Sequence, residues 1–446
     1  MNRQTMWGLM MLLGVAMYLW NSGELKKHKS TRESGPNVVL ITLNSTRADA
    51  VGVYGGKNET PVLDTLAKQG TMFTHAVSTS PLTQPAHVSI LSGNPPYLTG
   101  VVTNGTDIGD RAAMLSYALG AGGWVTGAFV SAYPLTRQLG WGQGWDHFDD
   151  TLRAGLVDSS HERAAVHTVD KALEWMELHK KQHFGVWIHL FEPHGPYEAP
   201  GRRVDGPTDG PALDLPDYWP DNHKAITDPE WFVEAYKAEV RTVDAAVGRV
   251  MDALDEWGVL DETLIVVTAD HGESLTEHDY LFDHGDHLYD VSLRVPLIFR
   301  WPGKINAGAA LSCLVSNQDI TPTLLGLLGI ADEHERQGRD LSAVLSGAKP
   351  CVGQSVLATT TSANDDERLR MSHALRTHRY KRIVSAAGDG SCFDLESDPR
   401  ENRRVSDCPS EMKDMMLRLL DDQVEPIQPR MDETSEEALR ALGYAE

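Results

Sequence analysis

The sequence is poor in cysteine and in basic residues, and each shortage excludes a class of protein. Its four cysteines include no Cys-x-x-Cys pair, so a zinc finger is not expected. Lys and Arg together number 40 against 63 Asp and Glu, which gives a formal net charge of −23 at pH 7. A protein this acidic repels the phosphates of nucleic acids, and we therefore predict no nucleic-acid partner.

Apolar runs as long as a membrane-spanning helix are also missing. Met6–Trp20 is apolar over 15 residues, fewer than the roughly 20 of a membrane-spanning helix but enough for a signal-peptide core. No small-x-small cleavage site follows. We predict that residues 1–36 form an uncleaved signal anchor with a polar tether; a cleaved signal peptide and a buried hydrophobic helix are the alternatives. The protein would then be membrane-anchored or secreted, on the periplasmic or extracellular face. There Cys392 and Cys408 could form a disulfide, free thiols being the alternative.

Short apolar runs alternate with amphipathic segments between residues 37 and 330. The runs predict buried strands, and the segments predict helices with start signals such as Thr60-Pro61 and Pro85. This alternation predicts an α/β fold, with a doubly wound, mostly parallel sheet flanked by helices. We assign it to a domain of residues 37–345, followed by a C-terminal α+β subdomain of residues 346–446 with a smaller antiparallel sheet. The predicted strands cover 38–43, 124–130, 184–190, 264–268, 293–299, 373–385 and 391–395.

Polar side chains follow three of the predicted strands. Asn44 follows the first strand, His194 comes shortly after the strand of residues 184–190, and Asp270 and His271 follow the run Leu264–Thr268. Ligands of open α/β sheets bind where the strands end, and an acid beside an imidazole can hold a divalent metal. Further candidate ligands come shortly afterwards: His278, Asp283, His284, Asp286 and His287.

Thr83 lies just before the helix that we predict to begin at Pro85. Backbone N–H groups at the start of a helix favour an anion, so Thr83 is a candidate for contact with an anionic substrate. The alternative is that Thr83 only caps the helix.

Several blocks of sequence, taken together and in this order, point to one family. They are Asn37–Asp49, Tyr54-Gly55, Thr60–Ala67, Pro81–His87, Glu192–Tyr197, Thr268–Leu275, Leu288–Asp290, Arg294–Leu297, Arg376–Lys381, Phe393–Pro399 and Leu439–Tyr444. In this arrangement the chain resembles the sulfatase family of the alkaline phosphatase superfamily, from residue 37 to about residue 446. The resemblance implies an alkaline-phosphatase-like α/β core with a smaller C-terminal sheet.

The resemblance also implies a metal site. At the matching positions, Asn44, Thr83, Asp270 and His271 would hold a divalent metal, either zinc, manganese or calcium. Thr83 would be the nucleophile, because a metal lowers the pKa of a hydroxyl that it coordinates.

Two histidines match further site residues of the related phosphoethanolamine transferases. These are His194 and His284. They would bind the oxyanion of the substrate and protonate its leaving group, or they would hold a second metal.

The chain departs from the family pattern at two positions. Asn44 stands where the family usually has Asp or Glu, and an amide offers a metal an oxygen but no charge. Formylglycine sulfatases carry Cys or Ser in a (Cys/Ser)-x-Pro-x-Arg motif, which here is Thr83-Gln84-Pro85-Ala86-His87. Threonine cannot become formylglycine, and the Gly-Lys-Trp-His segment expected near Gly122–Tyr133 is missing.

We therefore predict a metal-dependent hydrolase that cleaves sulfate or phosphate esters through Thr83 and not through a formylglycine. Its ligand would be a sulfated or phosphorylated small molecule, a glycan or a lipid headgroup, and it would contact the membrane through its N-terminal segment. One alternative is a family member impaired by Asn44, which binds an anionic glycan or lipid headgroup without turnover. The others are a phosphoethanolamine-transferase-like enzyme and a purely structural membrane-anchored protein.

Overall fold

The computed structural model describes residues 35–109, 113–152, 161–362, 369–429 and 432–444. The predicted signal anchor lies outside this part of the chain. Among the residues described, no helix is both long enough and apolar enough to cross a membrane. The described residues from Pro36 onward form one compact unit, and the predicted limit between residues 345 and 346 stays a prediction.

A large sheet of nine strands is the centre of the part of the chain that is described. The strands are β1 (Asn37–Leu43), β2 (Thr71–Val77), β3 (Val125–Phe129), β4 (His147–Asp149), β5 (Phe184–Leu190), β6 (Thr263–Ala269), β7 (Arg294–Val295), β8 (Leu297–Arg300) and β9 (Ala309–Ser316). Their order is β4-β3-β5-β1-β6-β8-β2-β7, with β9 paired to β2. The pairs β4-β3, β3-β5, β5-β1 and β1-β6 are parallel, whereas β8 is antiparallel to both of its neighbours, β6 and β2. The predicted α/β class with a mostly parallel sheet is confirmed.

The apolar composition of the central strands explains why they lie in the middle of the sheet. β1, β5 and β6 are buried at every residue, as expected for strands that are covered on both faces in a parallel sheet. The predicted strand 293–299 is divided into β7 and β8 at Pro296, which has no N–H to donate to a ladder.

Helices surround this sheet. Residues 229–256 form the longest helix among those described; it begins with Pro229 at its first position and with an Asp228 side chain that accepts from the N–H of Glu230. In chain order the helices are α1 (Pro61–Gln69), α2 (Thr83–Ser92), α3 (Pro96–Thr99), α4 (Leu115–Ala121), α5 (Ala165–His179), α6 (Asp221–Lys224), α7 (Pro229–Glu256), α8 (Asp290–Leu293), α9 (Ile320–Leu328), α10 (Ser342–Leu345), α11 (Ser410–Leu420) and α12 (Glu433–Ala441).

A separate antiparallel sheet follows, as predicted. Its strands are β10 (Val356–Ser362), β11 (Arg370–Arg376), β12 (Tyr380–Val384) and β13 (Gly390–Asp394), paired in that order. The single predicted strand 373–385 is in fact the two strands of a hairpin. β10 was not predicted because its run of threonines lacks the usual apolar alternation, yet Val356 and Ala358 pack into a buried cluster with Val77 and Leu314.

Two disulfides cross-link the chain. Cys392 is bonded to Cys408, as the first of the two alternatives predicts, and Cys313 is bonded to Cys351. The second bond was not predicted because its cysteines lie 38 residues apart and are brought together by the fold.

Candidate active site

The carboxyl ends of three central strands lie side by side. β1 pairs in parallel with β5 and with β6, and Leu43 is in register with both Leu190 and Ala269. The residues that follow these positions therefore emerge at one edge of the sheet. Asn44 and Asp270 are two of them, and both are fully buried.

Asp270 is a buried carboxylate with one oxygen left without a partner. Its Oδ1 accepts from the backbone N–H groups of Ser45, at 3.1 Å, and of His271, at 2.7 Å. Its Oδ2 has no hydrogen-bond partner within the described structure. Burial raises the pKa of Asp270 to about 8. A buried carboxylate oxygen without a donor is costly, and a bound cation would remove that cost.

His271 directs a lone pair toward Thr83. Its Nδ1 lies 2.8 Å from the carbonyl oxygen of Gly272, which can only accept, so Nδ1 carries the proton. Nε2 is then an acceptor, 3.4 Å from the Oγ1 atom of Thr83. Burial, and next the nearby charge of His284, lower the pKa of His271 well below its ordinary value. The ring is therefore neutral, the form in which imidazole binds metals.

Thr83 is the first residue of α2, so this helix begins two residues earlier than the sequence predicts. Leu82 is at the N-cap position, and no side-chain capping bond is made there. The Thr83 hydroxyl instead faces His271 and lies 2.9 Å from the hydroxyl of Tyr444. The first turn is held in place because the backbone N–H of Gln84 donates to Oδ1 of Asn104 at 2.8 Å. These contacts do not support the alternative that Thr83 only caps a helix.

His194 and His284 lie in the same pocket, and their pKa values are shifted in opposite directions. Their ring centroids are 5.0 Å apart. Burial lowers the pKa of His194 well below its ordinary value. Burial also acts to lower the pKa of His284, but Glu273, whose Oε1 lies 3.2 Å from Nδ1, outweighs it together with Asp283 and Asp270, and the pKa is raised. Neighbouring groups shifted in opposite directions are typical of an acid and a base.

Asn44 brings no charge to this pocket. Its Oδ1 accepts from the Ser45 hydroxyl at 3.3 Å, and its Nδ2 has no partner among the residues described. Asp49 does not replace the missing acid, because its carboxylate pairs with Arg47 at 2.8 Å and its side chain is 56% exposed.

The donor atoms of the predicted metal site fit a divalent cation. The unpartnered Oδ2 of Asp270 and the lone pair on Nε2 of His271 are ligand types that zinc and manganese accept, and the Thr83 and Asn44 oxygens could complete the set. A second group of potential ligand atoms, all within 4.8 Å of one another, consists of Glu273, Asp283 and His284.

Three other residues that the sequence suggested do not join the pocket. The ring of His278 stacks on Tyr289 with centroids 3.6 Å apart, and the ring of His287 packs edge-on against Tyr280. Asp286 is exposed.

Sequence reasoning missed the contributions of His87 and Tyr444. His87 replaces the arginine of the formylglycine motif; its Nδ1 donates to the carbonyl oxygen of Thr83 at 2.7 Å, and burial lowers its pKa to about 3, so it is neutral. The hydroxyl of Tyr444 lies 2.9 Å from Oγ1 of Thr83 and 2.8 Å from Nε2 of His194. Tyr444 belongs to the block Leu439–Tyr444, which carries no spacing that would assign it a role.

Comparison with known protein families gives two matches along the chain. The sulfatase family model matches residues 36–330. A model described as the C-terminal part of N-sulphoglucosamine sulphohydrolase matches residues 276–428. The first match alone covers more than half of the chain.

Curated relatives align over most of their own length. An ulvan-active sulfatase of Formosa agariphila is 26% identical, over 83% of this chain and 77% of that protein. A delta 4,5-hexuronate-2-O-sulfatase of Bacteroides thetaiotaomicron is 24% identical, over 87% of this chain and 89% of that protein. Human arylsulfatase K is 25% identical, over 88% of this chain and 82% of that protein.

Solved structures share the fold at low sequence identity. A protein solved in complex with its substrate D-glucosamine-2-N,6-O-disulfate superposes with a TM-score of 0.72 and 20% identity, over 87% of this chain and 97% of that one. The phosphonate monoester hydrolase of Agrobacterium radiobacter superposes with a TM-score of 0.71 and 21% identity, over 87% of this chain and 95% of that one.

Proposed function

This chain belongs to the sulfatase family of the alkaline phosphatase superfamily, and from this premise we propose that it hydrolyses sulfate or phosphate esters with Thr83 as the nucleophile. Relatives that are sulfatases, and a structural neighbour that is a phosphonate monoester hydrolase, support ester hydrolysis as the reaction class. The observation that carries the proposal is the buried Thr83 hydroxyl at the start of α2, whose Oγ1 atom lies 3.4 Å from Nε2 of His271.

A divalent metal is part of this proposal. Asp270, His271, Thr83 and Asn44 would hold it, with zinc, calcium or manganese as candidates. When bound, it would supply positive charge that stabilises a deprotonated hydroxyl and the oxygens of the ester group.

The histidines of the pocket divide the proton chemistry between them. His284 is the candidate acid, because its pKa is raised and its Nε2 has no partner in the described structure. It would donate its proton to the leaving oxygen of the ester. His194 is the neutral partner and would accept a proton or a hydrogen bond. The N-terminal turn of α2 would orient the anionic group through its backbone N–H groups.

Sulfated glycans are the proposed substrates, with phosphorylated small molecules or lipid headgroups as further candidates. The support comes from relatives named for activity on ulvan, on hexuronate 2-O-sulfate and on N-acetylglucosamine 6-O-sulfate. From the loop of residues 198–228, Tyr218 comes within 6.3 Å of His194, measured between ring centroids. This loop would therefore contribute to substrate selection.

An extracytoplasmic location completes the proposal, either membrane-anchored through the N-terminal segment or secreted. Two disulfides support it, since such bonds persist mainly in oxidising compartments.

Hydrolysis of nitrophenyl sulfate and of nitrophenyl phosphonate by purified protein tests the proposal, together with its metal content. We expect turnover, and we expect Thr83→Ala to lower it by at least about 10³-fold, because the covalent route is lost. The exposed Thr65 offers a matched control, and Thr65→Ala should leave turnover unchanged. Activity that survives Thr83→Ala would overturn the nucleophile assignment.

The impaired-enzyme alternative remains because of one observation, the neutral Asn44 in the metal site. It predicts a wild-type protein that binds little metal and turns over none of these esters. In that case a sulfated glycan should still bind, and the affinity should fall when His194 or His284 is replaced by alanine.

A further inference from the structure

Tyr444 reaches the candidate active site from the helix α12, and a defined turn directs it there. Gly443 has φ of 78°, a left-handed value that favours glycine. The N–H of Gly443 donates to the carbonyl oxygen of Arg440, and the N–H of Tyr444 donates to that of Leu439 at 2.7 Å. These two bonds form a Schellman turn, which fixes the direction in which the chain leaves the helix.

The helix that carries Tyr444 is itself held against the main domain. The hydroxyl of Tyr133 lies 2.7 Å from Oγ of Ser435, and the Asp432 carboxylate accepts from the Ser435 N–H at 2.8 Å. Ala438 and Leu439 are buried in the main hydrophobic core. The position of the phenol is therefore set by packing on both sides of the turn.

We propose that Tyr444 is a further catalytic residue, whose hydroxyl connects the nucleophile Thr83 to His194. The inference rests on the proposed function of this site. The oxygen of Tyr444 lies 2.9 Å from Oγ1 of Thr83 and 2.8 Å from Nε2 of His194, both within hydrogen-bonding distance.

Hydrogen-bond partners fix the direction of this chain of contacts. Nδ1 of His194 lies 2.7 Å from the carbonyl oxygen of Gly195, so Nδ1 carries a proton and Nε2 is an acceptor. The Tyr444 hydroxyl must then donate to Nε2. Its oxygen remains free to accept from the Thr83 hydroxyl. The order of donation is Thr83 to Tyr444 to His194.

This order gives the first step of the reaction a balanced path. The Oγ1 atom of Thr83 forms a bond to sulfur or phosphorus, and the bond from the sulfur or phosphorus to the leaving oxygen breaks. The Thr83 proton passes to the Tyr444 oxygen as the Tyr444 proton passes to Nε2 of His194. The leaving oxygen takes a proton from Nε2 of His284. In the second step the oxygen of a water forms a bond to sulfur or phosphorus, and the bond from sulfur or phosphorus to Oγ1 of Thr83 breaks. The water gives one proton to Nε2 of His284, and His194 returns a proton through Tyr444 to Oγ1 of Thr83.

The local charge explains why such a path would be useful here. Asn44 supplies no negative charge to hold a metal, so the activation of Thr83 by a metal alone is weakened. An internal acceptor reached through Tyr444 gives the Thr83 proton a destination within a pocket in which Thr83 and His194 are both buried.

The test compares wild type, Tyr444→Phe and His284→Gln on two sulfate esters, nitrophenyl sulfate and the less reactive phenyl sulfate. Tyr444→Phe removes one oxygen and keeps the ring. We expect kcat to fall by about 10²-fold or more, equally on both esters, with KM within about threefold of wild type. For His284→Gln the loss of kcat should instead be larger on phenyl sulfate than on nitrophenyl sulfate, because nitrophenolate leaves without a proton. Tyr117→Phe is the control, since Tyr117 is 46% exposed, and thermal melting checks the fold of each variant.

Each other outcome has a definite meaning. If Tyr444→Phe keeps kcat within about threefold of wild type, or loses activity only through KM, Tyr444 is not catalytic. If the variant is faster than wild type, the phenol obstructs the site and the inference is overturned. If wild type and Thr83→Ala are equally inactive on both sulfate esters and on nitrophenyl phosphonate, the proposed function fails and the catalytic role of Tyr444 fails with it.

Discussion

The Nδ1 atom of His284 lies 3.2 Å from the Oε1 atom of Glu273, and both side chains are buried. Burial lowers the pKa of both His194 and His284, but a carboxylate at this distance favours the charged imidazole, and with Asp283 and Asp270 it raises the pKa of His284. The two rings lie only 5.0 Å apart. The difference between them is thus produced by the acidic groups around His284, of which Glu273 acts most strongly.

Glu273→Gln should leave less of His284 in the protonated form that can act as the acid. The glutamine keeps the size of the side chain but removes the charge, so the pKa of His284 falls and its protonated fraction at pH 7–8 decreases. We expect the alkaline limb of the kcat profile on phenyl sulfate to move to lower pH, with about a tenfold loss at pH 8. Nitrophenyl sulfate should show a smaller loss. Asp286→Asn is a control at an exposed acid of the same loop, and an unmoved alkaline limb in Glu273→Gln would contradict the acid role of His284.

Asn44→Asp should strengthen metal binding. A second carboxylate next to Asp270 adds the charge that the site lacks, and we expect metal affinity to rise by about tenfold or more. Without metal the same variant should melt at a lower temperature than wild type, because a second buried carboxyl group is desolvated and has no cation as a partner. Metal content and thermal melting with and without added zinc, calcium or manganese measure both effects. Asn306→Asp adds the same charge at an exposed position; if it gives the same metal uptake, the effect does not belong to this site.

Asp270 should make the metal-free protein less stable as pH rises. Burial raises its pKa to about 8 in the folded protein, above the roughly 3.9 of an unfolded chain. The folded state then binds more protons than the unfolded state between these values, so the free energy of unfolding falls as pH rises from about 4 to about 8. We expect Asp270→Asn to reduce this slope in melting curves recorded with a chelator. Saturating metal should reduce it in the wild type, and an equal slope in variant and wild type would refute the assignment.

Much of the fold was predictable because the signals are local. The apolar runs of β1, β5 and β6 identify buried strands, and their alternation with helical segments gives the α/β class. The same local reasoning failed where tertiary contacts decide. It placed one strand where Pro296 separates two, and it overlooked β10, whose threonines become strand residues only by pairing with β11.

The sequence by itself determined which groups end the central strands. Asn44 and Asp270 each follow an apolar run directly and His271 comes next to Asp270, while Thr83 stands in a motif that excludes formylglycine, so these features need no knowledge of distant contacts. Only the tertiary structure decided the proton chemistry around them. A pKa depends on burial and on neighbours such as Glu273, and the hydroxyl of Tyr444 meets that of Thr83 across a separation of 361 residues. Contacts at that separation are created by packing, and no spacing in the sequence encodes them.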